Sequence, residues 1–267
     1  MERRMTEKEV TLNEFDAFLN AFLKKEDYKA DPSLNGIQIQ NSAPQSKPIK
    51  KVAFAVDACE QTARLAAAQG ADVLVVHHGL FWGSCQTITG SFYKRIASFV
   101  KNDLALVAYH IPLDANNPYG NNYGLAAGLG LKNLQPFGFW HGMCIGVKGE
   151  FNASVSPQAL QSALEKITGL KDTKSRLFAF GKEQIKTVGI ISGGAGDDVD
   201  QAVGEGLDCY ITGEFEHETY HFAEENAINV IAGGHYATET IGVSLLKKKV
   251  EDELKLETVF IDLPTSL

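Results

Sequence analysis

No apolar run in this 267-residue chain approaches the roughly 18 residues that a membrane span requires. The most apolar stretches, Ala71 to Val76 and Leu104 to Tyr109, are each one strand long. No membrane partner is therefore expected. Cysteine is scarce and unpaired: Cys59, Cys85, Cys144 and Cys209 contain no CxxC spacing, which fits neither a disulfide framework nor a thiolate zinc site. Positive charge is in deficit, with 25 basic against 33 acidic residues and a net charge of −8. Bulk binding to nucleic acid or anionic membrane needs a cationic surface and is not expected, although a local basic pocket for a phosphorylated small molecule is compatible with this balance. The N-terminal stretch Met1-Glu-Arg-Arg-Met5-Thr-Glu-Lys has neither the apolar core nor the small-residue cleavage site of a signal peptide. Together with reduced cysteines it points to the cytoplasm. Gly193-Gly-Ala-Gly196 is followed by no GK[ST] and completes no GxGxxG, so it reads as a tight strand-to-helix turn instead of a phosphate loop.

What remains is ordinary globular material, 44% hydrophobic and 22% charged, enough for one large or two modest domains at ~100–200 residues each. Thr11 and Glu14 form a capping box ahead of Leu12, Phe15, Leu19, Phe22 and Leu23, which predicts a helix from Leu12 to Lys25. Strand and helix patterns then alternate: Val52–Val56, Cys59–Gln69, Val73–Val76, Phe92–Lys101, Leu104–Tyr109 and Tyr123–Leu129. That alternation is the pattern of an α/β layer fold. A second helix is bounded by Ser156 as cap, Pro157 at its first position and Gly169 beyond its end. The stretch Leu134 to Lys182 around it reads as an ordinary connected segment, and the chain ends in a helix after Tyr236 and a strand Thr258–Ile261.

Ile49-Lys-Lys-Val52 recurs as Ile185-Lys-Thr-Val188, and the same offset, without a gap, aligns Gly70-Ala-Asp-Val-Leu-Val-Val76 with Gly206-Leu-Asp-Cys-Tyr-Ile-Thr212. Any two α/β units share some likeness, but an ungapped span of strand, helix, Gly, Asp and strand favours two related α/β lobes, an internal repeat. The expected architecture has helices packed on mixed sheets, a first lobe of residues 1–132 plus 236–267, a second lobe of 133–235, and a metal site in the cleft between them.

Three segments carry the chemistry. In Val75-Val-His77-His78-Gly-Leu-Phe-Trp82 two histidines follow a buried-strand pattern, and ligands of open α/β sheets bind beyond the carboxyl ends of strands. Adjacent strand residues point to opposite faces, so one ion takes both only if the chain bends, while two ions can take one each. Tyr109-His110-Ile-Pro-Leu-Asp114 ends another apolar strand; Asp114 offers a hard oxygen donor, and His110 suits a ligand or a residue that orients one. In Gly233-Gly234-His235-Tyr-Ala-Thr-Glu239 the i,i+4 spacing sets His235 and Glu239 on one helical face. Nitrogen and oxygen donors in this number, with no thiolate, exceed one open zinc site and suit two ions bridged by a carboxylate, which points to hydrolytic chemistry. Zinc, manganese, iron, cobalt and nickel are all compatible with such donors. His217 and His221 lie at i,i+4 in a helical segment where a second site or a substrate-facing role competes with a plain polar face; His221 is placed near the site because Gly213-Glu214 is the repeat partner of His77-His78. His141, after Trp140, reads as structural.

Asn35-Gly-Ile-Gln-Ile, His77-His78-Gly-Leu-Phe-Trp, His110-Ile-Pro-Leu-Asp114 and Gly234-His-Tyr-Ala-Thr-Glu239 occur in this order. As a set they resemble the Nif-three-like family of dinuclear-metal hexameric proteins, whose members carry the name GTP cyclohydrolase type-two homologue. The resemblance covers nearly the whole chain. It implies that His77, His78, Asp114, His235 and Glu239 are the ligands of two divalent ions per chain. In that arrangement Glu239 bridges, His78 and Asp114 hold one ion, and His77 and His235 hold the other. It also implies a toroidal homohexamer with metal sites facing an internal cavity. The activity attached to the family name would have a hydroxide generated on the metal attack C8 of the guanine ring of GTP and release formate, with His110 or His221 moving protons. Two non-catalytic readings stand beside this hydrolase: a metal-handling or metal-delivery protein, and a hexameric regulatory scaffold whose metals stabilise the assembly.

Overall fold

The structure, a computed structural model, describes residues 9–169 and 175–267. The charged N-terminal stretch from Met1 to Lys8, read above for a signal peptide, lies outside the described residues. In chain order the first elements are β1 (Val10–Thr11), α1 (Leu12–Leu23), β2 (Gly36–Ile39), β3 (Pro48–Ile49), β4 (Lys51–Asp57), α2 (Glu60–Ala68), β5 (Val73–His78), α3 (Gly90–Val100), β6 (Ala105–Ala108), α4 (Ile111–Asp114) and α5 (Asn121–Leu129). There follow β7 (Lys132–Trp140), β8 (Met143–Val155), α6 (Pro157–Thr168), β9 (Arg176–Phe178), β10 (Ile185–Ile191), α7 (Val199–Gly204), β11 (Cys209–Thr212), α8 (His217–Glu225), β12 (Asn229–Ala232), α9 (His235–Leu254) and β13 (Glu257–Phe260). The fold is α/β with helices on mixed sheets. Of the described residues, those up to Glu26 with Pro32–Tyr109 and Lys247–Ile261 form one compact unit, and Asp27–Asp31, His110–Leu246 and Asp262–Leu267 form another.

In the first unit the strand order is β13-β4-β5-β6-β2. The first four strands are parallel and β2 closes the edge antiparallel to β6. Strands covered on both faces can be apolar at every position, and Val73–Val76 and Ala105–Ala108 are buried throughout. On one face Ala53, Ala55, Leu74, Val76, Leu106 and Ala108 alternate along their strands to meet Ala63 and Ala66 of α2 and Phe99 of α3. The α1 helix starts where expected: the Glu14 backbone N–H donates to Thr11 Oγ1 at 3.4 Å, and the Thr11 N–H donates back to the Glu14 carboxylate at 3.0 Å. It ends at Leu23, short of the expected Lys25, because Lys24 takes the left-handed conformation at φ 53°.

In the second unit the order is β7-β8-β10-β11-β12-β9. Here β10, β11 and β12 are parallel, flanked by antiparallel β8 and β9. The period-two alternation divides its core. Val188, Ile190, Cys209, Ile211 and Ile231 face Leu125 and Ala126 of α5 and Leu160 and Leu164 of α6. Ile191, Tyr210, Val230 and Ala232 face Val199 and Ala202 of α7 and Ala223 of α8. The ends of α6 are those read from sequence, with Ser156 Oγ accepting from the Ala159 N–H at 3.2 Å and Gly169 left-handed at φ 66°. The connected segment after Leu134 opens with a long antiparallel hairpin of β7 and β8, which precedes α6. Its two-residue turn, His141-Gly142, has φ 45° and 86°, the left-handed pair that the twist of a hairpin favours.

Candidate metal centre

In the first unit, β5 delivers His77 and His78 at its carboxyl end. His77 is fully buried and its Nδ1 lies 3.1 Å from the Tyr109 carbonyl oxygen. A carbonyl only accepts, so Nδ1 is the donor in this contact, which leaves Nε2 as the nitrogen that can offer a lone pair. His78 is built alike: its Nδ1 donates to Asp57 Oδ1 at 2.8 Å, and Asp57 stands opposite it in the β4–β5 register. The two rings lie with centroids 4.5 Å apart although they are neighbours on a strand. The turn beyond them is pinned by Gln38 of β2, whose Oε1 accepts from the Leu80 and Phe81 backbone N–H groups at 2.7 and 3.2 Å. Gly79 backs directly onto that amide, which leaves no room for a side chain.

In the second unit, His110 precedes α4. Its Nδ1 donates to Asp31 Oδ1 at 2.9 Å, while Asp31 Oδ2 accepts the Ile111 N–H at 3.1 Å. Asp114, at the end of α4, is buried. Its Oδ1 accepts from Asn121 Nδ2 at 2.8 Å and Ser192 Oγ at 3.0 Å, and Asn121 is in turn held by the Gly242 N–H. His235 opens α9, and its Nδ1 donates to Glu214 Oε1 at 2.5 Å. Its Nε2 faces Glu239 Oε1 at 3.2 Å, one helical turn on, so the i,i+4 spacing does bring the pair together. Gly193, left-handed at φ 70°, passes so close to the Glu239 carboxylate that a Cβ there would collide with it and would crowd His235. Burial lowers the His235 pKa, but Glu239 and Glu214 outweigh it and raise it to about 9.

Among the described residues, the groups whose ligand atoms already stand close enough together to hold a metal ion are His77 with His78 and His110, His78 with His235 and Glu239, and His77 with Asp114 and Glu239. The donor set fits a divalent ion of borderline hardness, and its imidazoles are oriented from behind through Nδ1 as ligating histidines are. His221 stands apart from these groups. It lies on α8 with a side chain 70% exposed, its Nδ1 3.4 Å from Glu224. His141 sits in the hairpin turn with its ring against Trp140. Asp31, Asp57, Glu214 and Gln38 were missed as supporting residues. Two of them leave a trace in sequence: Asp57 follows the predicted strand Val52–Val56, and Glu214 is the repeat partner of His78.

A mixed α/β fold that sets histidines and buried carboxylates at strand ends and a helix start defines a protein with candidate metal-holding groups. Residues 10–266 match the family described as Duf34/NIF3 (NGG1p interacting factor 3), and the chain belongs to that family. A protein named GTP cyclohydrolase 1 type 2 homolog from Treponema pallidum is 40% identical, over 97% of this chain and 100% of its own. One of the same name from Deinococcus radiodurans is 40% identical over 97% and 95%. The solved structure of TTHA1606 from Thermus thermophilus matches with a TM-score of 0.87 at 36% identity, covering 97% of this chain and 100% of that one.

Proposed function

We propose that this protein binds two divalent metal ions through His77, His78, Asp114, His235 and Glu239 and uses them for hydrolysis of a nucleotide or related heterocycle, the chemistry that its relatives' name describes. The observation that carries the reading is the common construction of the imidazoles. Tyr109, Asp57 and Glu214 each hold the Nδ1 of one proposed ligand, so that Nε2 is aimed and kept basic for a metal. When bound, such ions supply Lewis acidity and lower the pKa of water enough for attack at neutral pH. The pairing that the resemblance implies is exchanged in this reading: His77 with Asp114 would hold one ion and His78 with His235 the other, and Glu239, which falls in both groups, would be shared. His110, fixed by Asp31, carries the proton to or from the substrate ring. His221, beside Glu224 on an exposed face, is given no proton-transfer role.

The proposed setting is a cytoplasmic homohexamer. Among the described residues no helix is long and apolar enough to cross a membrane, and all four cysteines are free. The deciding experiment is elemental analysis of untagged protein purified without chelator, paired with formate release from GTP on the same sample. Near two ions per chain with turnover supports the hydrolase. Two ions without turnover moves the reading to metal handling, and no metal under any loading condition overturns the ligand assignment.

A further inference from the structure

The twelve residues from Glu214 to Glu225 contain five glutamates and two histidines and no lysine or arginine. Nine of them, His217 to Glu225, form α8. His217 and His221 are one turn apart on its exposed side, with ring centroids 6.4 Å apart and planes at 74°. An ion bonded to a ring nitrogen of each at ~2.0–2.1 Å in tetrahedral geometry would place the centroids roughly 5 Å apart. Exposed histidines cover a difference of that size by rotating about χ1 and χ2. Glu224, with an oxygen 3.4 Å from His221 Nδ1, is a third donor on the next turn.

We infer that His217 and His221, with Glu224 completing the set, form a separate surface site on α8 for a divalent transition-metal ion. Two imidazoles and a carboxylate prefer zinc, nickel, cobalt or copper over magnesium or calcium. The surrounding glutamates raise the local concentration of any cation. The site is open to solvent, so its ion exchanges quickly. It also begins three residues after Glu214, the carboxylate that orients His235. This places an acquisition point for the metal on the segment that leads to a proposed inner ligand.

The test is nickel or zinc alone, titrated by equilibrium dialysis into full-length protein whose tightly held ions have first been counted. The wild-type chain is expected to take up one additional, weakly held ion per chain. The double variant His217→Gln/His221→Gln should lose that ion and keep the tightly held ones. Chelation by two groups gains about a hundredfold or more over one, so either single variant should weaken the extra ion by about that factor, and Glu224→Gln by less. Unchanged uptake in the double variant overturns the site. So does a loss confined to one of the two single histidine variants, because a two-point chelate needs both. Failure of the inner dinuclear reading would appear separately, as absent tightly held metal in the wild type.

Discussion

Asp72 and Asp208, 136 residues apart, make the same hydrogen bonds in their respective units. Asp72 Oδ2 accepts from the backbone N–H groups of Lys50 and Lys51 at 2.8 and 3.2 Å, and Asp208 Oδ2 accepts from those of Lys186 and Thr187 at 2.8 and 3.0 Å. The registers correspond as well, since Val52 pairs with Val73 and Val188 with Cys209, both in parallel ladders. Each aspartate ties the entry of one strand to the start of the next. That accounts for its place in the recurring Gly-x-Asp pattern.

Asp208 is the more deeply buried of the two. Burial raises its pKa, but Lys182 and the two backbone donors outweigh this and hold it below its ordinary value. Asp208→Ala should cost about 2–3 kcal/mol, the usual range for charge-assisted bonds lost at a buried site. A carboxyl whose folded pKa is depressed contributes stability above its unfolded pKa, near 4, and loses it as pH falls through the folded value. Urea unfolding at pH 7 and near pH 3 should therefore show a smaller gap between wild type and variant at the lower pH. A constant gap would show that the charge is irrelevant.

Much of the fold is legible locally. Thr11, Ser156, Pro157 and Gly169 mark helix ends through their own backbone chemistry, and the apolar runs at 73–76 and 105–108 announce strands covered on both faces. The β7–β8 hairpin escaped because its turn is His-Gly, whereas Asn-Gly or Asp-Gly is the pair that advertises such a turn. At the site, the His235–Glu239 contact is one helical turn and can be read from spacing. The supports behind the histidines cannot, because Asp31 lies 79 residues from His110 and Asp57 lies 21 from His78. Only the folded chain decides which carboxylate reaches which Nδ1.

Metal loading should release a proton at His235. With its pKa raised to about 9, the metal-free ring is an imidazolium at pH 7, and a ligating imidazole must be neutral. Calorimetry in two buffers of different ionisation heat should report about one proton from this ring at pH 7 and progressively less above pH 9. In the metal-free protein the same shift stabilises the fold fully below pH 6.5, and that contribution is lost as pH rises through about 9. Glu214→Gln removes one of the two carboxylates that raise the pKa. It should bring the proton release to lower pH and reduce metal affinity by about 10- to 100-fold; an unaltered pH profile would count against the role given to Glu214.

Gly193→Ala tests how tightly the carboxylate of Glu239 is cradled. A Cβ at this position meets Glu239 and His235, and φ of 70° adds the left-handed penalty of about 1–2 kcal/mol that glycine avoids. The variant should melt lower and retain less metal after dialysis. The control substitution Gly204→Ala, at the end of α7 where nothing crowds the added methyl, should retain the metal and melt no lower than the wild type. Equal metal content in the two variants would mean that Glu239 can move aside without consequence.

Gln38 acts at one remove from the histidines. Its Oε1 accepts from Leu80 and Phe81, and its Nε2 donates to the carbonyls of Leu34 and Phe81 at 3.0 and 3.3 Å, so a single amide fixes the turn that follows His78. Gln38→Ala removes the side-chain acceptor of two backbone donors, one of them on buried Leu80, at a cost of about 1–3 kcal/mol. Hydrogen exchange should accelerate at Leu80 and Phe81 while the β4 and β5 amides keep their protection, because the loss is local to the turn. Exchange that rises equally across the sheet would instead make Gln38 a determinant of global stability, and its place in the Asn35-Gly-Ile-Gln-Ile motif would then concern the fold and not the histidines.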